Sequence, residues 1–169
     1  MRQYWILALA MLEAACRAVP ARPVPDGRAG LARAEIEREL RRMEEAARRK
    51  DAEGFVRADS VITIATPDGR SLTRTRAELV SDQACRWEAV VETREIRFDL
   101  DSLRVDGDSA VVFVRQRWER RLRGDDGAEH IRLTHAAHRE TWVRRPAGWR
   151  TRSVRILGQG PNYTDGKPQ

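Results

Sequence analysis

Apolar positions in the first third of the chain recur at helical spacing. Leu31, Ile36, Leu40, Met43 and Ala47 fall on one side of a helix predicted over residues 31–50, with Glu and Arg on the other side. Neighbours one turn apart, such as Glu37–Arg41 and Glu44–Arg48, add roughly a few tenths of a kcal/mol each. The pattern breaks at Lys50-Asp51. A short second helix over 52–58 is expected to contribute Phe55 and Val56 to the core. The period then changes to that of a strand. Residues 60–66 are rich in β-branched side chains, Pro67-Asp68-Gly69 is a turn, and residues 70–73 return as a short partner strand. A third helix over 76–91 carries Leu79, Val80, Ala84, Trp87 and Val91 on one side. Three long strands follow over 94–105, 109–121 and 129–144, separated by Asp106-Gly107-Asp108 and a polar loop at 124–127. A turn at Pro146-Ala147-Gly148 leads to a last strand over 149–157.

This order predicts an α+β domain: a cone-shaped, curved antiparallel sheet wrapped around a long N-terminal helix. The residues that carry a resemblance are Asp59 before the first strand, Thr66-Pro67-Asp68-Gly69, Gly107 to Val112, Glu140 to Arg145, and Gly148-Trp149-Arg150. Together they resemble the nuclear-transport-factor-2-like superfamily, its SnoaL-like members in particular, over residues 31–158. The resemblance implies a cystatin-like cone whose open end is a small-molecule pocket. It also implies an outer sheet face that pairs in homodimers. Some members are isomerases, dehydratases or cyclases with an acid/base pair, and many have no catalysis. The acid of the family's Asp-x-Trp motif falls on Glu140. The histidine often found in the last strand falls on Arg155, so that partner is missing here.

Residues 1–21 read as an export signal. Arg2 precedes an apolar run from Tyr4 to Leu12, and Val19-Pro20-Ala21 fits a small-x-small cleavage site. The run is too short for a transmembrane helix, which needs about 20 apolar residues. The expected address is periplasmic or secreted. Lipid attachment at Cys16, after Ala14-Ala15, is the weaker alternative because Glu13 occupies a position where a lipobox prefers leucine. Residues 22–30 read as a linker and 159–169 as a flexible tail.

Composition narrows the function classes. Charged residues make up 34% of the 169, and the formal net charge is +6. Lys50 and Lys167 are the only lysines, so the cations are arginines, mostly set near acids rather than in one basic stripe. No nucleic-acid motif appears, and no nucleic-acid partner is expected. After signal removal Cys85 is the one cysteine left, which excludes an intramolecular disulfide, and its helical setting predicts a buried, inert thiol. No Gly-rich phosphate loop, G-x-S-x-G or H-E-x-x-H occurs, and no cofactor or metal is expected.

Candidate chemistry concentrates on one strand. Alternation places His130, His138, Glu140 and Trp142 on one face and His135, Arg139 and Thr141 on the other. His138 and Glu140 are same-face neighbours, and a carboxylate can orient an imidazole for proton transfer. The polar end of a pocket is expected from Asp59, Trp87, His138 and Glu140. Asp59, His138 and Glu140 are the catalytic candidates, and Trp87 and Trp142 the ligand-binding ones. Three functions fit: an exported protein binding a small apolar or amphipathic ligand without catalysis, a cofactor-free lyase or isomerase using Asp59, His138 or Glu140, and a structural dimerisation module.

Overall fold

The structure, a computed structural model, describes residues 27–168. The expected signal and Cys16 lie outside the described residues. Helix α1 spans Gly27–Arg49 and so begins inside the expected linker. Its buried stripe is Ala32, Ile36, Leu40, Ala46 and Ala47, with Met43 packed beside it. Lys50, at φ 57°, turns the chain out of the helix. Asp51 then caps α2, Ala52–Phe55, by accepting from the Gly54 amide at 2.9 Å. This helix is shorter than expected, because Ala58 already belongs to strand β1, Ala58–Ala65. Gly69, at φ 83°, makes the turn to β2, Ser71–Thr75. Thr75 and Glu78 form a capping box that starts α3, Arg76–Glu88.

Four long strands complete the chain: β3 (Val90–Asp106), β4 (Ser109–Arg123), β5 (Glu129–Arg145) and β6 (Gly148–Gln159). The expected tail is instead tied back. Strands β7 (Tyr163–Thr164) and β8 (Lys167–Pro168) pair with each other, and β7 pairs with β5. The sheet order is β2-β1-β6-β5-β4-β3. All these pairs are antiparallel except β1 with β6, so the sheet is mixed rather than purely antiparallel.

The sheet curls around α1. Register shifts interrupt β3–β4 at three places and β5–β6 at two, and bulges of this kind bend a strand and increase its twist. The concave face holds two apolar clusters. In the first, Ala32, Ile36 and Leu40 of α1 meet Ala110, Val112, Val114, Trp142 and Trp149. In the second, Ala47, Trp87, Val90, Ile96 and Trp118 pack with Phe55, whose ring lies 5.4 Å from Trp87 and 5.7 Å from Trp118. Helix α3 differs from its expected pattern. Trp87 is its one buried residue, Ala84 is exposed, and Val91 belongs to β3. Cys85, expected as a buried thiol, is exposed, because α3 rests on the sheet through its C-terminal end and leaves most of its surface to solvent.

Leu40 is 3% exposed within the first cluster. Leu40→Ala is therefore expected to cost about 2–5 kcal/mol in denaturant unfolding. A loss below about 0.5 kcal/mol, the scale of a surface substitution, would mean that α1 does not fill the cone.

Candidate functional site: the open end of the cone

Register determines which side chains share the concave face. On β4 they are Ala110, Val112, Val114, Gln116, Trp118, Arg120 and Leu122. Across the ladder on β5 stand Trp142, Glu140, His138, Ala136, Thr134, Arg132 and His130 in the same order. The first three pairs belong to the packed half of the cone or border it. From Gln116 and Ala136 onward a cavity of about 610 Å³ opens between β4, β5, the end of β6 and the C-terminal end of α3. Trp118, Leu122, Ala89 and Ala136 line its apolar side, and Gln116, Arg120, Arg132, Thr134 and His138 its polar side.

His138 sits where the cavity meets the core. Its side chain is 15% exposed, and Nδ1 lies 3.4 Å from Oε1 of Glu140, itself 12% exposed. The other carboxylate oxygen accepts from Nε1 of the fully buried Trp142 at 2.7 Å. Trp142 thus holds Glu140, and Glu140 faces one ring nitrogen of His138. The second nitrogen, Nε2, is left for a group in the cavity. The carboxylate can stabilise an imidazolium and fix the ring's orientation, the two services a general acid/base needs.

Arg120 is a second charged group of the inner wall. Its guanidinium carbon lies 4.2 Å from the Trp118 ring centroid, and Nη2 is 3.5 Å from Thr134 Oγ1. Burial, reinforced by the like charges of Arg132 and Arg86, pulls its pKa down to about 10. At neutral pH it remains a cation.

Of the expected site residues, His138 and Glu140 come together on the cavity side of β5. Asp59 does not join them. It lies within β1, ion-paired to Arg145 at 2.5 Å, and that hydrogen-bonded guanidinium holds its carboxyl below the usual carboxylate range. Arg145 stands seven residues beyond His138, roughly 20 Å along the strand. Trp87 and Trp142 are core residues, 3% and 0% exposed, and neither lines the cavity. The aromatic that does is Trp118. Alternation along β4 puts Gln116, Trp118 and Arg120 on one face, but only the register reveals that they stand beside Ala136, Thr134 and Arg132.

His130 and His135 serve the tail. His130 Nδ1 pairs with Asp165 at 2.7 Å, which raises the histidine's pKa and lowers that of the aspartate. The Gly160 amide donates to the His135 carbonyl at 3.1 Å. A Cβ at position 160 would lie 2.9 Å from that of His135, so the crossing requires glycine. It delivers Asn162 to the cavity wall. Another cleft, of about 440 Å³, lies on the convex side beside Arg115 and Arg117. There Asp101 and Glu95 pair with Arg115 and Arg117. Among the described residues, no three His, Cys, Asp or Glu side chains are grouped to hold a metal ion.

No protein-family model and no curated protein matches the sequence. Solved structures do. A protein from Kribbella flavida is 22% identical, with a TM-score of 0.65 over 78% of this chain and 95% of its own. A provisionally named scytalone dehydratase from Novosphingobium aromaticivorans is 11% identical, with a TM-score of 0.66 over 81% and 90%. A nuclear-transport-factor-2-like superfamily protein from Salmonella enterica is 18% identical, with a TM-score of 0.56 over 76% and 92%.

Glu140 is the acceptor for a buried indole. Glu140→Ala is expected to cost about 1–3 kcal/mol in denaturant melts by leaving Trp142 Nε1 unpaired, whereas Glu140→Gln keeps an acceptor and costs less. Equal losses in the two variants would show that the Trp142 bond is not what Glu140 supplies. The long helix in a curled mixed sheet, matched across these structures, gives the chain the nuclear-transport-factor-2-like, or cystatin-like, fold.

Proposed function

We propose that the protein binds a small amphipathic molecule in the open end of its cone. The observation that carries this is the cavity of about 610 Å³, apolar along Trp118, Leu122 and Ala136 and polar at His138 and Arg120. Concave, mostly apolar spaces with a few convergent polar groups are what small-molecule sites look like. The neutral dye N-phenylnaphthylamine should bind with one-to-one stoichiometry, read by fluorescence. Ala136→Phe, which fills the space, should abolish that binding without lowering the melting temperature. Binding that is absent, or insensitive to the filling substitution, would contradict the proposal.

The contact between His138 and Glu140 favours a second reading, a cofactor-free lyase or isomerase. Two structures of the same fold carry provisional dehydratase names. In this reading His138 takes a proton from carbon next to a carbonyl, and Glu140 stabilises the imidazolium. Asp59, tied to Arg145, has no part in it. The expected sign is faster exchange of deuterium into the α-carbon of β-tetralone, lost in His138→Gln with dye binding intact. Exchange no faster than in buffer would leave the non-catalytic reading standing.

A further inference from the structure

The arginines of the cavity lack the counter-ions that several arginines on the convex face have, although Arg139 and Arg155, opposite one another on that face, also have no acid partner among the described residues. There, Arg115 meets Asp101, Arg117 meets Glu95, and Arg121 meets Glu92 and Glu129. On the concave face Arg120 stands directly opposite Arg132 in the β4–β5 ladder, and Arg86 of α3 faces the same cavity. Like charges opposite one another in an antiparallel pair are destabilising. Among the described residues no acid pairs with any of the three. The charges acting on Arg120 are those of Arg132 and Arg86, both cations. Two buried donors on this wall, Arg120 Nε and Trp118 Nε1, also have no hydrogen-bond partner. Buried donors are normally satisfied, and here two unsatisfied ones accompany an uncompensated positive charge.

An anion would answer both shortages. We infer that the cavity takes an organic anion, a carboxylate or sulfonate on a flat apolar body, with its charged group between Arg120 and Arg132 and its body along Trp118, Leu122 and Ala136. Guanidinium forks suit such oxyanions through paired N–H donors. The stack on Trp118 and the contact with Thr134 hold the Arg120 fork in place before the ligand arrives. Arg132 and Arg86, both exposed, extend the positive field to the mouth, where it would attract an anion from solution. His138 then lies at the far end of the bound molecule. This assignment rests on the cavity being a ligand site and adds the sign of the ligand's charge.

The test compares two fluorescent dyes of similar ring structure, anionic anilinonaphthalenesulfonate and neutral N-phenylnaphthylamine. In the unmodified protein the sulfonate should bind more tightly. Arg120→Gln and Arg132→Gln should each weaken the sulfonate at least about tenfold, the scale of a lost hydrogen bond to a charged group. Both variants should weaken the neutral dye far less than the sulfonate. Arg155→Gln, an equal loss of charge at an exposed position on β6, should alter neither. Arg132 is exposed, so its variant keeps the test valid if Arg120→Gln unfolds. Sulfonate affinity that is unchanged in both cavity variants, or falls as much in Arg155→Gln, would overturn the anion assignment while leaving the cavity as a site. Failure of both dyes to bind would overturn the site itself.

Discussion

Burial of the α1 stripe in the concave sheet is the contact on which the rest of the architecture depends. Ile36 and Leu40 reach Val112, Val114, Trp142 and Trp149, all of them nearly or fully inaccessible to water. A helix of 23 residues is roughly 35 Å long, whereas a strand of 17 residues can run to roughly 55 Å. One helix cannot cover such strands from end to end. Beyond Val114 and His138 the concave face therefore needs other cover, and it receives Phe55, the end of α3 and the returning tail. The cavity is the space these smaller elements leave unfilled.

That geometry also divides the charges. The convex face is wet, and Arg115, Arg117 and Arg121 there lie within a few ångströms of acids, each pair worth little on its own. The concave face has two kinds of ionic group. Glu140 is tied into the core through Trp142 and meets His138. Arg120, further out, has an aromatic ring and a hydroxyl for company but no carboxylate. Carboxylate and imidazole at one end of the cavity, and unbalanced guanidinium groups at the other, set up a space with two chemically different ends. A ligand with one charged group and one group that can accept or release a proton would match both.

Much of this was legible in the residues. The spacing of Ile36 and Leu40 identified the core side of α1. Period-two alternation put His138, Glu140 and Trp142 on one face of β5. What alternation cannot supply is the neighbour across the ladder. Trp118 and Arg120 became candidate site residues only once β4 was registered against β5. Asp59 was misplaced for a related reason. A carboxylate near the start of a strand looks available, yet here Arg145, eighty-six positions away, claims it. Trp87 faces the interior as its spacing suggests but is consumed by packing on Phe55. Cys85 shows the reverse error, since a weakly apolar helix face is no guarantee of a neighbouring layer. The tail's Gly, Pro and Asn content suggested flexibility, whereas Gly160 serves a close crossing over His135.

The proposed ligand site is the outer half of the concave face, and not the core or the convex side. Side-chain N–H resonances report this directly, because the indoles of the described residues differ in their partners. Trp149 Nε1 donates to Glu35 at 2.8 Å far from the cavity, while Trp118 Nε1 is unpaired in its wall. During a nuclear magnetic resonance titration with naphthoate, the Trp118 indole and the Arg120 Nε–H should shift together and saturate at one equivalent, with Trp149 unmoved. Saturable shifts confined to Trp149 or to the convex-face arginines, with Trp118 and Arg120 unchanged, would contradict the account.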